Sequence, residues 1–191
     1  MEIMKRYFSK SIFILVLMCL GPTVAYAEEE SYWSWLVSFE SKKEVAPITD
    51  ELYEEECGAC HFAYQAGWLP EASWRKLMDA KALENHFKES AELDEQTRKR
   101  ILDMLVANSA DKSRYKRSKK VMASLPEGAA PLRITETPYI KSKHEEVYED
   151  VVSKSDKINS LSYCDKCHQK AKDGDFDDDS VYIPGYGYND W

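Results

Sequence analysis

Four cysteines of the chain fall in two copies of one pattern, Cys57-Gly58-Ala59-Cys60-His61 and Cys164-Asp165-Lys166-Cys167-His168. Two thiols three positions apart on one turn can add to the two vinyl groups of a porphyrin, and the imidazole of the next residue then points at the iron. The pattern is that of c-type haem attachment. A four-cysteine zinc site, two tight disulfides or a thioredoxin-like redox pair would draw on the same cysteines. None of these accounts for a histidine directly after both pairs, and neither pair follows the β-branched apolar run that a thioredoxin-like surrounding requires. Two covalently bound haem c groups are therefore expected.

Two haem irons have four axial positions, and the chain holds four histidines: His61 and His168 in the motifs, His86 and His144 outside them. The count matches two bis-histidine haems with no imidazole left over. Position supports it for His144. With Val147, Tyr148, Val151 and Val152 it forms the apolar stripe of an amphipathic helix predicted over residues 141–153, so its ring faces inward. His86 follows a helical stretch opened near Ser73, with Trp74, Leu77, Met78 and Leu83 as its apolar side. Met78, Met104 and Met122 compete with it as ligands, because His/Met ligation is common in c-type cytochromes. Met78 and Met104 sit at core spacing with Leu77, Ile101 and Leu105, the usual place of a packing methionine. Proximity along the chain assigns His86 to the first haem and His144 to the second.

The elements that position these residues are mainly helical. Thr49 or Asp50 caps a short helix leading into the first motif, and a helix begun by Asp94 runs to about Asn108. The segment from Asp111 to Lys120 carries six cations against one acid. It reads as a solvated connecting helix, with haem propionates or an acidic partner as functional alternatives. Pro126, Gly128, Pro131 and Pro138 mark an extended linker. The run Asp173-Gly174-Asp175-Phe176-Asp177-Asp178-Asp179 looks superficially like a calcium loop but lacks glycine at the sixth position and glutamate at the twelfth, so it reads as a solvated acidic loop.

At the N-terminus Lys5, Arg6 and Lys10 precede an apolar run from Ile12 to Leu20, and Ala25-Tyr26-Ala27 supplies a cleavage site. This is the pattern of an export signal, too short in its apolar core to span a bilayer. Cys19 leaves with it. The expected organisation is a signal peptide over 1–27, an acidic and aromatic leader over 28–48, a first haem domain over 49–110, a basic helix and linker over 111–131, and a second haem domain with its tail over 132–191.

The whole chain of 191 residues has 26 Lys and Arg against 34 Asp and Glu, a formal charge of −8. Loss of the first 27 residues takes away three cations and one anion and leaves −10. Nucleic acid is an unsuited partner for such a surface. With 43% hydrophobic and 12% aromatic residues the chain is too apolar for disorder.

The chain resembles the bacterial diheme cytochrome c family with bis-histidine haems, and its first unit resembles class I cytochrome c. The class I likeness rests on Tyr53, four residues before the first motif, and on the closing helix from Leu93 to Asn108. The family likeness runs from about Glu51 to Gly185. Its carriers are Cys57 to Phe62, His86-Phe87 with Glu89, Ala91, Leu93 and Asp94, Arg133 to Tyr139 leading to His144, Cys164 to His168, Gly174 to Phe176, and Ile183-Pro184-Gly185. One departure is Lys88, where glycine is expected.

The resemblance implies a mainly α protein of two small haem-binding units, the second built of short helices and loops. It implies an electron carrier and no enzyme, with His86 and His144 as distal ligands, and the export signal together with covalent haem attachment places it in the periplasm. The implied partners are other redox proteins, such as a small oxygen-binding monohaem cytochrome c or a membrane b-type cytochrome; transient contact with a membrane surface is compatible with that set. Two imidazoles without a methionine sulfur place both haems at low potential. The alternative reading is a haem enzyme or gas binder, a peroxidase or an oxygen carrier, in which one iron keeps an open position.

Overall fold

In the computed structural model, residues 44–147, 151–152, 155–158 and 160–188 are described. The stretch expected to be an export signal, the leader before Glu44, Tyr148 and the last three residues lie outside them. All described residues belong to one unit, Glu40–Trp191. The fold is mainly helical, with a single small hairpin among the described residues.

Asp50 opens helix α1 (Glu51–Gly58) by accepting the N–H of Tyr53 on its side chain. The helix runs directly into the first motif. After a turn at Ala66–Trp68, Pro70 leads into α2 (Glu71–Leu77), and Asp79 caps α3 (Ala80–Glu84). Helix α4 (Glu95–Ala107) starts where the sequence says, with the Asp94 carboxylate accepting the N–H groups of Gln96 and Thr97, and it packs against α2. Helices α5 (Lys116–Ser124) and α6 (Pro138–Lys143) follow, packed on each other. Beyond them the described residues form short turns, a piece of helix at 151–152 and a hairpin, β1 (Tyr182–Ile183) paired antiparallel with β2 (Gly187–Tyr188).

One apolar cluster runs through most of this. Val45, Tyr53, Trp68, Leu69, Trp74, Ile101, Leu105 and Val121 are buried together with Ala171 and Phe176 from beyond the second motif. A smaller cluster gathers Val151, Ile158 and Ile183, with Val147 and Cys167 against it. Met78 is buried in the large cluster, as a packing methionine should be.

Three expectations need correction. The helix expected over 141–153 is not continuous: α6 begins earlier, at Pro138, and ends at His144. The His144 ring Nδ1–H donates to the carbonyl of Ile140 at 2.8 Å, while its backbone N–H turns to Lys141. A side chain that takes the carbonyl four residues back competes with the helical bond and stops the helix. The inward stripe survives, since Val147, Val151 and Val152 still join the second cluster.

The basic segment is not simply solvated. Arg117 is buried and donates from Nε to Glu44, from Nη1 to the Tyr139 hydroxyl at 3.0 Å and from Nη2 to the Phe176 carbonyl at 2.8 Å. Nor is the aspartate-rich loop solvated throughout, because Asp175 and Phe176 are buried. Gly174 sits there at φ 75, and a Cβ on it would lie 2.1 Å from the carbonyl oxygen of Val45. Its own carbonyl accepts the N–H groups of Glu44 and Val45, so the end of the leader is stitched to the second motif's loop.

Candidate functional site

The first motif sits at the end of α1, where the helix unwinds after Gly58. The second is a single tight turn: the N–H groups of Cys167 and His168 both donate to the carbonyl of Cys164, at 3.3 and 2.8 Å. Both arrangements hold two thiols on one turn with the imidazole just beyond. The hairpin is tied to the second of them, because the N–H of Tyr182 donates to the Cys167 carbonyl at 3.0 Å.

The two histidines outside the motifs come to the two inside them. The rings of His61 and His86 lie with centroids 6.3 Å apart, and those of His144 and His168 6.2 Å apart. Imidazoles bonded by nitrogen to opposite sides of one metal, at about 2.0 Å each, hold their centroids about 6 Å apart. Two further features suit a metal between each pair. The His61 Nδ1–H donates to the Phe62 carbonyl at 2.8 Å and that of His144 to Ile140, which leaves Nε2 of each as the lone-pair donor. Burial, and after it the neighbouring His144, pushes His168 down to about 4; burial and then His61 lower His86. Neutral imidazoles are the form that binds a metal.

The turn that carries His86 is unusual. Phe87 and Lys88 have φ of 55 and 86, both left-handed, and the N–H of Glu89 returns to the His86 carbonyl at 3.2 Å. The turn expected to need glycine is made with lysine instead, and the Phe87 ring stands edge-on to His86 at 4.7 Å. Above that ring, at 3.9 Å, lies the guanidinium of Arg133.

A cavity of about 780 Å³ opens at the second pair, within the range of cofactor pockets. Cys164, Cys167, His144 and His168 line it, with Ile140, Phe176 and Ile183 as apolar wall. A second cavity of about 340 Å³ lies against Cys60 and His61 on one side and Tyr163 and Asp165 on the other. A planar, largely apolar macrocycle held by thiols and imidazoles suits this donor set.

The other chemistries of paired cysteines suit it less. No disulfide joins any of the four cysteines. Burial and then Glu56 push Cys57 up to about 11, and burial and then Asp165 push Cys164 up to about 12. A thiol pair built for disulfide exchange has its pKa lowered. Among the described residues no three His, Cys, Asp or Glu side chains converge to hold a bare metal ion, so the pairs do not form a four-thiolate zinc site.

Several contributors were not legible in the motifs. Tyr64 lies tilted at 5.0 Å against His61, donates its hydroxyl to the Ser162 carbonyl at 2.7 Å and lines the large cavity at the second pair, so one ring touches both sites. Gln65, buried beside it, donates to the Ala171 carbonyl and accepts from the Trp68 indole. An aromatic three residues after a motif histidine was the only available signal. Phe176, 5.2 Å from His168, and Arg117 were likewise hidden in charged runs.

A family model described as Dihaem cytochrome c matches residues 53–176. Among curated proteins none matches the chain. Among solved structures, a diheme cytochrome c from Rhodobacter sphaeroides is 43% identical with a TM-score of 0.60, covering 69% of this chain and 100% of that one. A diheme cytochrome type c from Shewanella baltica is 36% identical with a TM-score of 0.59, covering 72% of this chain and 95% of that one.

Proposed function

Since the chain belongs to the dihaem cytochrome c family and so is a haem-based electron-transfer protein with two covalently bound haem c groups, we propose that it is a periplasmic carrier with histidine on both sides of each haem. Cys57 and Cys60 attach the first group and Cys164 and Cys167 the second. His61 with His86, and His168 with His144, serve as the axial ligands. The observation that carries this is the pair of ring separations, 6.3 and 6.2 Å, each joining a motif histidine to one outside the motifs.

What the group supplies when bound is a one-electron change of oxidation state at iron. The chain's part follows from its ligands. Two imidazoles fill both axial positions, so a substrate or gas finds no open site, and reorganisation on electron transfer stays small. The absence of a methionine sulfur keeps both potentials low, and the N–H bonds from His61 and His144 to backbone carbonyls strengthen those imidazoles as donors, in the same direction. The periplasmic assignment rests on the basic and apolar N-terminal pattern together with covalent attachment, which in bacteria occurs outside the cytoplasmic membrane. An acidic chain favours a partner with a complementary basic face. A small oxygen-binding monohaem cytochrome c or a membrane b-type cytochrome is the partner class that suits.

Carbon monoxide tests the reading. Added to the fully reduced protein it is expected to leave the visible spectrum unchanged at both haems. A carbonyl-type shift of the Soret band at either would mean an open position and a binding or catalytic role.

A further inference from the structure

The two ligand pairs differ in one respect that their separations conceal. The rings of His61 and His86 are nearly parallel, 24° apart, whereas those of His144 and His168 are crossed at 75°. Each ring is held by a contact of its own. His61 is tied to the Phe62 carbonyl and His144 to the Ile140 carbonyl. His86 has the Phe87 ring on its edge, and His168 has Phe176 at 5.2 Å. The two angles are therefore properties of the fold.

Ring orientation matters because each imidazole presents one filled π orbital perpendicular to its plane. Parallel rings both push on the same iron dπ orbital and raise it above its partner. Removing one electron from that raised orbital is easier, so the ferric form is favoured. Crossed rings push on different orbitals, which stay close in energy, and the ferric form loses that advantage. Near-degeneracy also leaves the orbital moment unquenched, which makes the ferric magnetic resonance signal highly anisotropic.

Surroundings act in the same sense. The crossed pair lines the large cavity walled by Ile140, Phe176 and Ile183. At the parallel pair Glu55, Glu56, Gly58, Ala59 and Cys60 are all exposed. An apolar wall penalises the more highly charged ferric state more than an open, solvated one does.

We propose that the two centres are unequal and the internal transfer directional: the His61–His86 centre, with parallel rings, has the lower potential and passes the electron, and the His144–His168 centre, with crossed rings, has the higher and holds it. This rests on the bis-histidine reading and goes further, since that reading leaves the order of the two centres open.

Magnetic resonance on the full holoprotein during a reductive titration tests it. The oxidised protein should give two low-spin ferric signals of unlike shape, one rhombic and one highly anisotropic, and the anisotropic one should disappear first as the potential is lowered. His86→Met should remove the rhombic signal and leave the anisotropic one; His144→Met should do the reverse, and either variant alone suffices to assign the pair. Two signals of one shape, prior loss of the rhombic signal or the opposite assignment overturns the proposal. A high-spin ferric signal in the unsubstituted protein would instead overturn the bis-histidine reading beneath it.

Discussion

Lys88 adopts φ 86 directly after Phe87 at φ 55, in the turn that presents His86. A side chain with a Cβ resists this region by about 1–2 kcal/mol, so the chain tolerates strain beside a candidate ligand. Lys88→Gly removes that strain but adds freedom to the unfolded chain. The net effect expected is a gain of about 0.5–1 kcal/mol, read as a higher midpoint of denaturant unfolding with unchanged haem content. A lower midpoint would mean that the lysine itself contributes something the backbone argument omits. Also at this scale, burial raises the phenols of Tyr53 and Tyr64 well above their ordinary value. A folded pKa raised above the unfolded one near 10 means stability that is complete below that pH and is lost as pH climbs through the window above it. Phenolate absorbance in an alkaline titration should therefore show these two phenols ionising only as the protein unfolds. Ionisation of every phenol in one step near pH 10, with the fold intact, would contradict their burial.

Among the elements, the motifs, the Asp50 and Asp94 caps and the course of α4 were all legible in the sequence, because each is written in local residue types. The end of α6 was not. It depends on a ring N–H competing for the Ile140 carbonyl, and hydrophobic periodicity carries no record of that. The basic run that opens α5 misled for a related reason: its composition is that of a surface, yet the helical turn points Arg117 inward against Glu44, Tyr139 and Phe176. Those partners lie far off in sequence on both sides, so no window holds them together. Arg117→Met would leave Glu44 without its cation, the buried Phe176 carbonyl without a donor and the half-buried Tyr139 hydroxyl without its partner. A loss of about 3 kcal/mol or more in unfolding free energy is expected. Arg117→Lys should recover only part of it, because one ammonium cannot reproduce three directed bonds. A loss below about 1 kcal/mol would reduce the cluster to a surface ion pair.

The described residues are held together by contacts between the segments that flank the two motifs. The leader's end at Glu44 and Val45 bonds to Gly174, Gln65 reaches Ala171, and Tyr64 reaches Ser162. Counting histidines against axial positions supplied the candidate ligands, while the ring angles and the shared Tyr64 emerged only in three dimensions. The central claim is that four nitrogen donors fill four axial positions. Near-infrared magnetic circular dichroism of the fully oxidised protein tests it most directly, because the charge-transfer band of low-spin ferric haem moves with the identity of both axial ligands. The expected result is that bis-imidazole bands account for both haems; a histidine–methionine band or a high-spin band from either would contradict it.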